Sequence, residues 1–224
     1  KAGFLNPVET SAVLKAYHLP GVPLELATSA DKAVKIATEQ GYPVVLKIAS
    51  PDVTHKSDIG GVMLNLVDSE AVSIAYEEII ANTQAAFPQA NILGVYVQHM
   101  FPAGQEVILG AVQDVQFGPL VMFGSGGVEV EGLKDVAFAL APLTLPDAEW
   151  MLESTWAGRR LKGFRNLPPA DRQSVLRAIV HLGQLAADFP QLAEIEINPL
   201  RVFAGSQGTA ALDVRMKLNE LLLS

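Results

Sequence analysis

The chain has 224 residues, half of them hydrophobic, with a formal net charge of −8 and no cysteine. That is enough for one large domain or two small ones. It excludes a disulfide framework, thiolate catalysis and zinc–thiolate sites, suits a reducing cytoplasm, and argues against a nucleic-acid backbone or an anionic membrane as partner. No apolar run reaches the roughly 18 residues of a membrane helix. The chain opens on Lys1 rather than Met, and Asn6-Pro7 and Glu9 interrupt any signal-peptide layout. We read it as a fragment, a processed chain or a subunit cut from a fusion.

Asn6-Pro7-Val8-Glu9 has a capping residue, proline at the first helical position and glutamate three after the cap, so a helix starts there and stops near Leu19-Pro20-Gly21. A short strand at 22–26 follows, then a helix capped by Thr28-Ser29 and closed by Gly41. Residues 43–49 form an almost continuous apolar strand interrupted by Lys47. A loop rich in polar residues and glycine spans 50–61, a strand 62–67, and Asp68-Ser69 opens a long helix that runs to about Phe87-Pro88. Strands are expected at 92–98, 105–112 and 119–123, with a turn at Gln113-Asp114 and a loop at Gly124-Ser125-Gly126-Gly127. One more strand covers 136–140, helices cover 146–156 and 169–188, and a hairpin closes the chain. Interleaved helices and strands followed by an antiparallel block predict an α+β organisation in two lobes, hinged between Pro88 and Gln98.

The terminal hairpin carries the most informative pattern, Glu194-Ile195-Glu196-Ile197-Asn198-Pro199-Leu200, a turn at Gly205-Ser206-Gln207-Gly208, then Ala211-Leu212-Asp213. Counting outward from the turn centre pairs Phe203 with Gly208, Leu200 with Ala211 and Asn198 with Asp213. Glu194, Glu196 and Asn198 share a face by the period-two rule, and Asp213 joins them. Hard oxygen donors gathered this way suit Mg²⁺ that also holds phosphates; otherwise they form the solvated face of an edge hairpin. Lys47 in its apolar strand either snorkels to an edge or meets an anion. The loop Thr54-His55-Lys56-Ser57-Asp58-Ile59-Gly60-Gly61 has the glycines, hydroxyls and base of a phosphate-covering segment, without Walker A or GxGxxG spacing. Gly124-Ser125-Gly126-Gly127, followed by Glu129 and Glu131, is a second phosphate loop or an ordinary turn. Gln98 and Glu106 flank the Pro102-Ala103-Gly104 loop, where a carboxylate can hold a ribose and backbone groups can read adenine. Of the four histidines, His18, His99 and His181 read as structural or exposed; His55 alone lies in a glycine-bearing loop between lysine and acid neighbours.

Taken together and in this order, the Gly41-Tyr42-Pro43-Val44-Val45-Leu46-Lys47 stretch, the His55 loop, Gln105-Glu106-Val107, the segment from Phe117 to Gly127, and the terminal hairpin resemble the ATP-grasp β subunit or domain of NDP-forming acyl-CoA synthetases, typified by ADP-forming acetyl-CoA synthetase. The distant resemblance is to the succinyl-CoA synthetase β subunit. The likeness runs from about Asn6 to Leu218. It implies an ATP-grasp fold with a small lobe at about 20–93, a large lobe at 94–224, and a nucleotide cleft between them. It implies ATP or ADP with Mg²⁺, Lys47 on the phosphates, Gln98 beside adenine, Glu106 on ribose, and Asn198 with Asp213 on the metal. Glu196 stands beside the metal, acting on an incoming phosphohistidine. His55 is a phosphoryl relay, a phosphate ligand or a bystander. Succinyl-CoA synthetases have an acid at the Gln98 position and no histidine at the His55 position. The implied partner is a CoA-binding α subunit, or a fused N-terminal region, that carries the primary phosphohistidine. An alternative resemblance is to the regulatory synthetase-like region of protein-lysine acetyltransferases, whose degenerate members lose the Glu-x-Asn pattern that Glu196 and Asn198 keep here.

Overall fold

The local signals at the start of the chain act as expected. The Asn6 side chain accepts hydrogen bonds from the backbone of Val8 and Glu9, and the Glu9 carboxylate accepts one from the Asn6 N–H. This capping box opens α1 (Pro7–Ala16). The structure, a computed structural model, describes residues 3–53, 56–126 and 135–219. Its elements then run β1 (Glu25–Ala27), α2 (Ala30–Gln40), β2 (Val44–Ala49), a 3₁₀ turn (Ser57–Ile59), β3 (Val62–Leu66), α3 (Ser69–Ala86), β4 (Gly94–His99), β5 (Gln105–Asp114), β6 (Gly118–Ser125), β7 (Val136–Leu140), α4 (Leu145–Ser154), α5 (Trp156–Arg160), α6 (Arg172–Asp188), β8 (Leu192–Val202), β9 (Thr209–Ala211) and β10 (Val214–Leu218). Among the described residues, no helix is long and apolar enough to cross a membrane.

Two units result. The first, residues 22–101, is a four-stranded antiparallel sheet in the order β1-β4-β2-β3. Val44, Leu46 and Ile48 of β2 and Val95 and Val97 of β4 alternate onto one face. There they join Ala33, Ile36 and Ala37 of α2 and Val72, Ala75, Tyr76 and Ile79 of α3 in a common core. The register of β2 against β3 slips by one residue, and Asn65 takes a left-handed backbone (φ 58°) where it does.

The second unit contains residues 3–21 and everything from Pro102 on. Its six-stranded sheet runs β10-β8-β5-β6-β7, with β9 also paired to β8. Leu109, Ala111, Val121, Phe123, Ile195 and Ile197 share one core with Met151 and Leu152 of α4, and with Ile179, Leu182 and Leu185 of α6.

Several details differ from the expectation. The boundary between units falls at Phe101/Pro102 rather than near residue 93, because β4 pairs with β1 and β2 and so completes the first sheet. Residues 3–21 belong to the second unit: Leu5 N–H donates to the Met216 carbonyl and Ala211 N–H to the Pro20 carbonyl. Gln113 and Asp114 lie inside β5; the turn follows them, and Asp114 Oδ1 accepts from the backbone of Gln116 and Phe117. The single helix expected over 146–156 is also divided, by Thr155. Its side-chain oxygen accepts the Gly158 N–H at 3.2 Å and caps α5.

Candidate functional site

In the first unit, β2 and β4 set the register Lys47↔Tyr96 and Val45↔Gln98. Lys47, Tyr96 and Gln98 therefore share the face of the sheet turned away from α2 and α3, and Lys47 and Gln98 are diagonal neighbours. Lys47 is half-buried, with Val62 opposite it on β3. Gln98 is 4% exposed and belongs to the first unit. Burial raises the Tyr96 phenol above its ordinary value. Just after β4, the Met100 N–H donates to the Pro43 carbonyl. His99 is tied to the Gly41 carbonyl through Nδ1 at 2.9 Å and packs edge-on against Phe101, a structural role as expected. His55 lies outside the described residues.

In the second unit, the terminal hairpin adopts the register counted from its turn. Leu200 faces Ala211, Ile197 faces Val214, and the Asn198 N–H donates to the Asp213 carbonyl at 3.0 Å. Ile195 and Ile197 are buried, Glu196 and Asn198 are half-buried, and Glu194 is exposed. Side chains of directly opposite residues start about 5 Å apart, so the Asn198 amide oxygen and the Asp213 carboxylate can reach one small cation. Among the described residues, no cluster of three or more His, Cys, Asp or Glu side chains is gathered for a metal. Two protein oxygens completed by phosphates and water is the arrangement Mg²⁺ accepts, so the donor set fits that ion and does not form a dedicated protein cage. The remaining acids are matched across the strands: Glu196 sits opposite Arg215 and Glu194 opposite Lys217.

Along this sheet, β8 carries one residue more than β5 between the paired positions Ile197↔Leu109 and Leu200↔Val107. This bulge at Asn198-Pro199 keeps Ile197 and Leu200 both in the core and re-aims the chain beside the hairpin. Beyond it, Glu106 faces Arg201, and Arg201 Nη2 meets Glu106 Oε1 at 2.6 Å. Arg160 Nη2 donates to the Glu106 carbonyl at 3.3 Å.

Of the expected Gly124–Gly127 loop, Gly124 and Ser125 are the last residues of β6. Ser125 donates its hydroxyl to Asp135, whose carboxylate also accepts from the backbone of Trp156 and Ala157. Burial pushes the Asp135 carboxyl up, yet these hydrogen bonds outweigh it and hold the group below its ordinary value. Gly126 is so close to Val107 that a Cβ there would stand 2.5 Å from its carbonyl carbon. These residues are therefore spent on structure. Gly127, Glu129 and Glu131 lie outside the described residues.

Arg201, Arg160 and Asp135 carried no motif in the sequence reading. The pairing of β5 with β8, about 95 residues apart, brings Arg201 to Glu106, and no short-range pattern announces it.

Comparison with known proteins agrees with this architecture. The ATP-grasp domain family matches residues 1–218, and the chain belongs to that family. Its homologues include the β subunit of acetate–CoA ligase [ADP-forming] I of Pyrococcus furiosus, 42% identical over 94% of this chain and 90% of that one. Acetate–CoA ligase [ADP-forming] I of Archaeoglobus fulgidus is 44% identical over 93% of this chain, which spans only 30% of that protein's length. Among solved structures, acetyl-coenzyme A synthetase 1 of Ca. Korarchaeum cryptofilum, in complex with coenzyme A and Ca-AMPCP, superimposes with a TM-score of 0.91 at 41% identity, covering 97% of this chain and 94% of that chain. The same protein with Mg-AMPPCP gives 0.86 at 38% identity, with coverages of 97% and 93%.

Proposed function

We propose that this chain is the nucleotide-binding subunit or domain of an ADP-forming acyl-CoA synthetase, acting in the cytoplasm. The overall reaction is acid + CoA + ATP ⇌ acyl-CoA + ADP + phosphate. This chain's step moves a phosphoryl group between a phosphohistidine and the nucleotide: the N–P bond of the histidine breaks as an O–P bond forms to the β-phosphate of ADP, and the reverse with ATP.

The observation that supports this reading best is the opposition of Asn198 on β8 and Asp213 in the link between β9 and β10, in a chain that matches a β subunit over nearly its full length. In this reading Lys47 neutralises the nucleotide phosphates, Gln98 lies beside adenine, and Glu106 accepts from the ribose. Asn198 and Asp213 hold Mg²⁺, which supplies charge neutralisation at the transferring phosphoryl group. Glu196 steers the incoming phosphohistidine, and His55 relays the phosphoryl group: an N–P bond forms on its ring as the N–P bond of the primary phosphohistidine breaks, and it is this second N–P bond that breaks when the O–P bond to ADP forms. The primary phosphohistidine and the CoA site belong to an α subunit, or to a region fused to this one as in the longer relatives. Catalysis rests on positioning and on charge rather than on covalent chemistry from most of these side chains.

Calorimetric titration of the chain with ADP, with and without Mg²⁺, tests the reading. Mg²⁺-dependent binding that Asp213→Ala weakens is expected. Binding indifferent to both would favour a degenerate regulatory domain. With a phosphohistidine donor supplied, Glu196→Gln should lower turnover while leaving ADP affinity within about threefold, as a residue acting only in the transition state does.

A further inference from the structure

Glu106 does not stand alone. Arg201 occupies the directly opposite position on β8, and its Nη2 lies 2.6 Å from Glu106 Oε1. The same guanidinium reaches the Pro102 carbonyl through Nη1 at 3.4 Å, so it bridges the carboxylate and the loop leading into β5. Its stem lies along Gly104, where a Cβ would come within 2.9 Å of Arg201 Cγ and 2.6 Å of the Val202 carbonyl oxygen. Arg160 Nη2 also donates to the Glu106 carbonyl. Both partners of the ion pair are partly buried, with side chains 22% and 33% exposed. The described residues direct hydrogen bonds to Oε1 of Glu106 and none to Oε2.

We propose that Arg201 is a positioning residue for the nucleotide ribose: it fixes the Glu106 carboxylate in one rotamer, with Oε1 engaged and Oε2 presented to a ribose hydroxyl. This inference rests on the reading of Glu106 as the ribose acid. A planar guanidinium suits the task because its fork can engage the carboxylate and the Pro102 carbonyl at once, which an ammonium on a flexible stem does poorly. A guanidinium that merely neutralised Glu106 would instead compete with the ribose, and its removal would tighten nucleotide binding.

The test is calorimetric binding of ADP, 2′-deoxy-ADP and 3′-deoxy-ADP in the presence of Mg²⁺. It uses the full chain and its Glu106→Ala, Arg201→Met, Arg201→Lys and double Glu106→Ala/Arg201→Met variants. The unaltered chain should prefer ADP over one of the deoxy analogues by about tenfold or more, as expected for a hydroxyl bonded to a charged acceptor. Arg201→Met should erase most of that preference, Arg201→Lys should keep part of it, and the double variant should be no worse than Glu106→Ala alone. A merely structural role would lower affinity for all three nucleotides equally and leave the ratio intact. Full preference in Arg201→Met, or tighter binding, with the preference lost in Glu106→Ala, overturns the positioning role and leaves the ribose reading standing. A preference that survives in Glu106→Ala, or is absent from the unaltered chain, overturns the ribose reading and this inference with it.

Discussion

The two sheets are built alike and charged differently. Each is antiparallel, each buries one face under its own unit's helices, and each presents its candidate chemistry on the other face. On the first, Lys47 has Tyr96 and Val62 opposite it on β4 and β3, with Leu26 and Val45 on the same face. On the second, cation stands opposite acid repeatedly: Lys217 by Glu194, Arg215 by Glu196, Arg201 by Glu106. Asn198 and Asp213 break that series, an amide opposite an acid with no cation at either position. A charge flanked by apolar side chains acts at lower dielectric and has a larger effect on an anion than a charge set directly opposite a countercharge.

The largest effect should therefore come from the first face. Lys47→Met should weaken ADP binding about a hundredfold, the scale of a charge-assisted contact to phosphate in a dry site. Calorimetry on the two proteins measures it, and a loss of threefold or less would mean that Lys47 snorkels away and that the contrast between the faces is empty. Asp213→Ala should cost about tenfold in the presence of Mg²⁺ and little in its absence, since only the metal-dependent share of affinity passes through that carboxylate. An equal loss under both conditions would mean that Asp213 shapes the hairpin rather than holding an ion.

How much of this was legible in the sequence depends on contact range. The terminal hairpin could be counted residue by residue because its turn sits within a few positions of the paired strands, and the alternation of acid with isoleucine fixes which face is buried. Helix starts were equally legible: Asn6, Ser29 and Asp68 each cap the helix expected of them. What failed was assignment across distance. Residues 92–98 read correctly as a strand, but nothing local says that this strand completes the first sheet, so the boundary was drawn too early. Glu106 could be singled out, while its partner Arg201 could not. The bulge at Asn198-Pro199 reverses the inward–outward count between Ile197 and Leu200, so extending the hairpin's alternation past it misassigns the face of Arg201. Gly124 and Ser125 looked like a phosphate loop because glycine is also what a strand needs where another backbone approaches closely.

The smallest effect concerns what keeps the second face in register. Asp171 caps α6 by accepting the Ser174 N–H at 3.0 Å and, through its other oxygen, accepts the Gly208 N–H at 2.9 Å in the turn between β8 and β9. One carboxylate thus joins a helix start to the hairpin that carries Asn198 and Asp213. Asp171→Ala should cost about 1 to 2 kcal/mol, or a few degrees of melting temperature for a chain of this size. Asp171→Asn, which keeps an acceptor for the cap, should cost less. Burial pushes the Asp171 carboxyl up, but the hydrogen bonds from Ser174 and Gly208, with the nearby Arg177 charge, outweigh it and hold the group below its ordinary value. A folded-state pKa below the unfolded one gives stability that is complete above the unfolded value of about 3.9 and is lost as the pH falls through the folded value. Melting curves of the parent should therefore drop below about pH 4 more steeply than those of Asp171→Asn, in which this contribution is absent at every pH. Parallel acid limbs would show that Asp171 holds the hairpin as a neutral acceptor, and that the charge contrast between the two faces does not extend to the residues that support them.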